Sequence, residues 1–192
     1  MITLEPITLS FRNVALSDDQ FYQLCQDNEN WQLERMAQGE LIIMPPVGGL
    51  SGNRESNLIG ELWLWNRQTK LGKVFSSSTI FTLPNGAKRS PDVAWIAKER
   101  WDALPLEEQE KFAKICPDFV IELRSRTDSL TQLQAKMEEY LVNGVRLGWL
   151  IDPISQQVAI YRPHQAVEII SLPTTLSGEN VLPGLTLELP LF

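Results

Sequence analysis

The sequence predicts an α/β (α+β) fold with a mixed central β-sheet flanked by two main helices. Short apolar runs rich in β-branched and aromatic residues recur along the chain, as is typical of strands. Two longer segments place apolar residues at helical spacing, and strand-like runs lie before, between and after them. The chain has 192 residues and shows no internal repeat or low-complexity tract. We therefore expect a single domain over residues 1–192.

The N-terminal part predicts a helix followed by a hairpin. Residues 1–16 alternate weakly and indicate an extended chain. Ser17 is a good N-cap for the helical segment SDDQFYQLCQDN, and Asp18 and Asp19 suit its first turn. The next segment, WQLERMAQGELIIMPP, predicts two short strands that turn around residues 37–39.

Residues 51–70 predict the first main helix, because Leu58, Leu62 and Trp65 share one face at helical spacing. The segment WDALPLEEQEKF indicates a short helical excursion further along. Strands are expected at 73–76, 79–83, 93–97, 119–123, 146–151, 157–161, 167–172 and 185–189.

The second main helix follows the strand at 119–123. Asp128 or Ser129 can cap it, and Gly144 suits its end, so it is expected to run to about residue 143. Its apolar stripe consists of Leu130, Leu133, Met137, Tyr140 and Leu141. This stripe predicts that the helix packs on the sheet.

The net charge of −7 argues against a surface built for nonspecific nucleic-acid binding, which usually carries a basic face. A phosphate-handling role would need a local basic patch or a bound cation. The nearest candidates are Lys88 with Arg89, and Arg124 with Arg126. We interpret both pairs as solvated loop charges, with phosphate contact as the alternative.

The remaining composition indicates a cytoplasmic protein without a membrane partner. No run of 18 apolar residues occurs, and the first residues lack the pattern of a signal peptide. Cys25 and Cys116 are far apart and match no metal-ligand spacing, so we expect reduced thiols.

Two carboxylates stand out against their apolar surroundings. Glu122 interrupts the run FVIEL, and Asp92 follows Pro91 at the start of VAWIA. A buried carboxylate is costly unless something binds it, and Mg²⁺ often takes one or two carboxylates plus water. If the two strands are neighbours, Asp92 and Glu122 could share such an ion. The alternative is that strand alternation turns Glu122 toward solvent.

A cation beside the metal helps phosphodiester hydrolysis by orienting water or steadying negative charge. Arg124 lies where a strand lysine would be sought, but arginine stays protonated and is a poor general base. Lys136 lies at the border of the apolar stripe of the second helix and could reach the Glu122 strand. The alternative is an ordinary lysine stretched along the surface.

These motifs together resemble a known family. A first Pro-Asp is followed by PDFVIE, Arg-Ser, a helix with Gln-Ala-Lys and Tyr, and then NGVRLGWLIDP. This order resembles a large family of small bacterial proteins described as restriction endonucleases, within the PD-(D/E)xK nuclease superfamily. The resemblance covers about residues 17–162, and residues 117–153 are its specific part.

The resemblance implies a restriction-endonuclease-like core and phosphodiester cleavage of nucleic acid, DNA first of all, by a homodimer that uses Mg²⁺, with Mn²⁺ as a substitute. By position, Asp92 and Glu122 would hold the metal, and the carbonyl of Leu123 would add an oxygen. Lys136 would replace the motif lysine that is absent at position 124, and Glu40 would supplement the metal site.

A second function class stays open. The acidic net charge and the missing strand lysine also suit a non-catalytic binding or assembly protein with the same fold. Metal binding by the carboxylates would separate the two hypotheses.

Overall fold

The structure is a computed structural model that describes residues 6–11, 14 and 16–189. Within these residues it contains helices and strands that alternate along the chain. The helices are α1 Asp18–Asp27, α2 Gly49–Thr69, α3 Lys98–Asp102, α4 Leu106–Gln109 and α5 Leu130–Val142. The strands are β1 Ile7–Leu9, β2 Gln32–Arg35, β3 Leu41–Met44, β4 Gly72–Ser76, β5 Phe81–Thr82, β6 Lys88–Arg89, β7 Val93–Ala97, β8 Phe119–Leu123, β9 Leu147–Asp152, β10 Gln157–Tyr161, β11 Glu168–Ser171, β12 Thr174–Ser177 and β13 Thr186–Leu189.

The main sheet has six strands in the order β11-β10-β9-β8-β7-β4. Strands β8 and β9 are parallel, whereas the other neighbours are antiparallel. Helix α5 lies between the two parallel strands in sequence, as a parallel connection requires. The predicted mixed sheet flanked by helices is therefore confirmed.

Each face of the main sheet has its own apolar core. Leu58, Leu62 and Trp65 of α2 pack with Ile121 on one face, together with the C-terminal strands. Met137 and Tyr140 of α5 pack with Val120 on the other face. Successive residues of a strand point to opposite faces, so Glu122 lies on the face that α5 covers.

Helix α5 approaches the sheet closely at Gly148 of β9. A Cβ atom at this position would lie 2.5 Å from the Cε atom of Met137 and 3.4 Å from Val120. Because glycine leaves this space free, α5 can sit low on the sheet, which brings the residue before Met137 toward β8.

A second sheet has five strands in the order β1-β3-β2-β6-β5, and β12 and β13 form a separate pair. The sequence predicted one central sheet and did not predict β6 or β12. Strand β6 has two residues and pairs with β2 only through Arg35 and Lys88. So short a strand has no periodicity that a sequence pattern could reveal.

The predicted local elements are confirmed with small shifts. Ser17 caps α1, and its side chain and that of Gln20 form a reciprocal capping box. Helix α2 begins at Gly49, slightly before the predicted start, and Ser129 caps α5. The excursion after β7 consists of the short helices α3 and α4. Part of the predicted extended segment 1–16 lies outside the described residues.

No helix of the described residues is both long enough and apolar enough to cross a membrane.

A candidate active site built on two strand ends and one helix

Asp92 and Glu122 lie opposite each other at one end of the strand pair β7–β8. The antiparallel ladder pairs Val93 with Ile121, so one further step of the same register places Asp92 beside Glu122. The N–H of Leu123 donates to Oδ2 of Asp92 at 2.6 Å, which fixes that carboxylate against the end of β8. The expectation that these strands are neighbours is confirmed.

Glu122 is a buried acid rather than a solvent-facing one. Its side chain is 3% exposed and points toward α5, where the hydroxyl of Tyr140 donates to Oε1 at 3.0 Å. The alternative in which strand alternation turns Glu122 to solvent is therefore wrong, because helix α5 covers that face.

Lys136 reaches the same carboxylate from α5. Its Nζ atom lies 2.9 Å from Oε1 of Glu122 and 3.0 Å from Oε1 of Glu34. It also donates to the carbonyl of Ser90 at 3.3 Å. The side chain is 11% exposed, so the alternative of an ordinary surface lysine is wrong.

The charges of the cluster formed by Asp92, Glu122 and Lys136 do not balance. Burial, and then the charge of Glu122, raise the pKa of Asp92 well above its usual range. Burial also raises the pKa of Glu122, although Lys136 opposes this shift. Burial opposes the charge on Lys136, but the carboxylates of Glu122 and Glu34 outweigh it and raise the pKa of this lysine. The cluster therefore holds a firmly protonated lysine beside two carboxylates that lack full compensation.

The cluster also contains Glu34, which the sequence did not single out, and Arg89, which the sequence indicated only as a solvated loop charge. Glu34 of β2 bridges Lys136 to Arg89, whose guanidinium lies 3.0 Å from Oε2 of Glu34. Burial works against the charge of Glu34, yet these two cations hold its pKa below its usual range. The only sequence signal was an acid inside the short strand QLER, which equally suits an exposed strand face.

The basic residues that the sequence suggested for phosphate take different places. Lys88 and Arg89 are buried and ion-paired, with Asp18 and with Glu34 and Glu139 respectively, so their interpretation as solvated loop charges is wrong. Arg124 forms an ion pair with Asp152 at 2.8 Å. Arg126 is exposed, as expected.

The remaining predicted residues lie nearby. Leu123 contacts Asp92 through its N–H, and the role of its carbonyl as a metal ligand stays a prediction. Glu40 precedes β3, is half-buried and lines the same cleft, and its role at the metal also stays a prediction. Glu34 is the acid of the hairpin that contacts Lys136.

Asp92, Glu122, Lys136, Glu34 and Arg89 line one open cleft of about 1670 Å³. The hairpin β2–β3 forms one wall through alternate residues, among them Glu34, Glu40 and Ile42. The start of α2, the loop 124–129 and the start of α5 complete it. The cluster is therefore open to a large ligand on this side.

A single hard cation suits the donors at the base of the cleft. Neither Oδ1 of Asp92 nor Oε2 of Glu122 takes part in the hydrogen bonds of the described residues. Two carboxylate oxygens plus water and phosphate are a usual Mg²⁺ environment. No cluster of three or more histidine, cysteine, aspartate or glutamate side chains in residues 6–11, 14 and 16–189 could hold a metal alone.

Comparisons with known proteins agree with this architecture. The model of the Uma2 family, described as "Putative restriction endonuclease", matches residues 18–190. The crystal structure of a "putative nuclease belonging to DUF820" from Anabaena variabilis is similar, with 26% sequence identity and a TM-score of 0.69. The match covers 81% of this chain and 86% of that one. No curated protein matches the sequence.

Proposed function

The chain belongs to the Uma2 family of restriction-endonuclease-like proteins, and from this premise we propose that it is a Mg²⁺-dependent nuclease that hydrolyses phosphodiester bonds in DNA. One observation carries the proposal: Asp92, Glu122 and Lys136 meet at the base of a single open cleft. The two carboxylates would hold the ion, and Mn²⁺ would substitute for Mg²⁺.

The bound ion would polarise the scissile phosphate and lower the pKa of a coordinated water. Lys136 is protonated at neutral pH because two carboxylates raise its pKa, so it acts as a hydrogen-bond donor and a positive charge, not as a base. At 2.9 Å from Glu122 it lies beside any phosphate that approaches the carboxylates, where it would orient the attacking water and steady the developing charge. The Tyr140 hydroxyl holds Glu122 in place.

The test is cleavage of supercoiled plasmid and of single-stranded oligonucleotides with Mg²⁺, with Mn²⁺ and with EDTA. We expect nicking by the wild type that EDTA abolishes, and a loss on the order of 10³-fold in Glu122→Gln and Lys136→Ala. Arg162→Gln, whose ion pairs with Glu168 and Glu179 lie outside the cleft, is the matched control and should cleave normally. Absence of cleavage on every substrate with either metal would refute the nuclease.

A non-catalytic binding protein of the same fold is the second candidate. Two observations favour it: the net charge of −7 and the engagement of Arg124, at the motif lysine position, with Asp152. Calorimetric titration of Mg²⁺ or Mn²⁺ into the wild type and Asp92→Asn separates the two candidates. Equal, negligible heats in both proteins would leave the carboxylates structural.

The homodimer and the cytoplasmic location remain predictions from the sequence. Both described cysteines are free thiols, which is compatible with a reducing compartment.

A further inference from the structure

The ammonium group of Lys136 is held from three directions. An ammonium has three N–H donors, and Nζ lies within 3.3 Å of three oxygens, which belong to Glu122, Glu34 and Ser90. Glu122 comes from β8 of the main sheet, Ser90 from the link between β6 and β7, and Glu34 from β2 of the second sheet. Lys136 thus connects Glu34 of the second sheet with Glu122 of the carboxylate pair.

Glu34 is itself fixed by two groups besides Lys136. Its Oε2 lies 3.0 Å from Arg89, and its Oε1 accepts the backbone N–H of Ser90 at 2.8 Å. Arg89 in turn donates through Nε to Glu139 at 2.6 Å. Because Glu139 follows Lys136 by three residues on α5, the ion pairs form a closed ring: Lys136, Glu34, Arg89, Glu139 and back along the helix.

Stability alone does not explain such a ring. Buried ion pairs gain little over well-packed apolar side chains, because both charges must lose their water. The ring has one consequence that apolar packing cannot provide: a fixed negative charge holds the lysine ammonium within 3.0 Å of the Glu122 carboxylate.

We propose that Glu34 is a positioning residue for Lys136: with Arg89 behind it, Glu34 aims the ammonium at the carboxylate end of the cleft. The second sheet thereby takes part in the active site through a residue that acts on Lys136. The part that concerns catalysis rests on the nuclease activity proposed above.

The test has one arm that needs no activity. Lysines labelled with ¹³C at Cε are observed by NMR at neutral pH, and the signal that disappears in Lys136→Met identifies Lys136. In Glu34→Gln we expect the Lys136 signal to shift and to relax like that of a mobile side chain, since the ammonium has lost one of its two charged partners. Asp152→Asn is the matched control, because it removes a buried partner of Arg124 and none of Lys136. It should leave the Lys136 signal unchanged.

The second arm is the cleavage rate. Glu34→Gln should lower kcat roughly 10- to 100-fold with little change in KM, as expected when an outer partner of a reacting group is lost. Glu34→Asp keeps the negative charge but draws the carboxylate back from Lys136 and Arg89 by one methylene. It should rank between the wild type and Glu34→Gln in both arms, and it provides a second folded variant if Glu34→Gln folds poorly.

The outcomes separate the two proposals. A Lys136 NMR signal that Glu34→Gln and Glu34→Asp leave unchanged would overturn the positioning role, and so would an unchanged kcat in an active enzyme. If the wild type cleaves no nucleic acid, the nuclease proposal fails, and the NMR arm alone decides whether Glu34 positions the Lys136 ammonium.

Discussion

The two ends of the strand pair β7–β8 carry the same short motif in two different settings. Pro-Asp precedes each strand, and because the strands are antiparallel, Asp92 and Asp118 lie at opposite ends of the pair. Each aspartate accepts a hydrogen bond from the last residue of the neighbouring strand, Asp92 from Leu123 at 2.6 Å and Asp118 from Ala97 at 2.8 Å. Locally, both residues close a strand end in the same way.

The difference lies in the charges around them. Asp118 is fully buried and has two cations, Arg100 at 2.9 Å and Arg146 at 3.5 Å. Asp92 is half-buried, lines the cleft and has a second carboxylate, Glu122, as its cross-strand neighbour. The same motif therefore forms a compensated structural anchor at one end and an uncompensated candidate metal site at the other.

The largest expected effect is on cleavage. Asp92→Asn should reduce nicking on the order of 10³-fold, because it removes a proposed metal ligand. Asp118→Asn, at the other strand end, should keep wild-type nicking per folded molecule. The measurement is the nicking rate at saturating Mg²⁺, normalised to the folded fraction from circular dichroism. Similar losses in the two variants would show that both aspartates act through the fold.

The second effect is the stability of the compensated end. Asp118→Asn should lower the free energy of unfolding by about 2 kcal/mol, because it removes the ion pairs with Arg100 and Arg146 and weakens the hydrogen bond from the Ala97 N–H. Urea unfolding measures this change. An unchanged midpoint would mean that the two arginines contribute nothing, as exposed ion pairs often do.

The smallest effect has the opposite sign. Asp92→Asn should raise the free energy of unfolding by about 1 kcal/mol at neutral pH, because it removes a like-charge neighbour of Glu122. Asparagine can still accept the hydrogen bond from Leu123. Loss of stability in this variant would show that Asp92 is compensated after all.

The gain in the free energy of unfolding of Asp92→Asn should also depend on pH. Because the pKa of Asp92 is raised in the folded state, the folded protein binds more protons than the unfolded one above the ordinary value of 3.8. The free energy of unfolding of the wild type therefore falls as the pH rises from 3.8 toward the raised pKa of Asp92. The stability advantage of Asp92→Asn should accordingly grow from pH 4 upward. Urea midpoints of both proteins between pH 4.5 and 8 give the difference, in which the other titrating groups largely cancel. A constant difference would contradict the assigned shift.

Local patterns predicted much of the fold. The bounds of β7 and β8 agree with the sequence, since both strands are apolar runs that need no long-range information. The capped helices α1 and α5 also begin where their capping residues indicated. The second sheet was beyond such patterns, because β6 is too short and its partner β2 lies more than fifty residues away.

The candidate site likewise contains residues that local sequence patterns indicate and residues that they do not. Asp92, Glu122 and Lys136 were chosen from strand and helix positions, and the structure brings these three side chains together. Glu34 was missed and Arg89 was wrongly interpreted as a solvated loop charge, because their roles depend on how the second sheet packs against α5. The residues next to them in the sequence do not indicate that contact.

The sequence by itself determined where the two Pro-Asp motifs and the buried glutamate stand along their strands, because alternation and turn chemistry act between adjacent residues. Only the tertiary structure decided which motif became the anchor and which became the candidate metal site. Arg100 and Arg146 converge on Asp118, whereas Glu122 converges on Asp92. Charge compensation acts through space between residues far apart in the chain, so it is settled by packing and not by the motif.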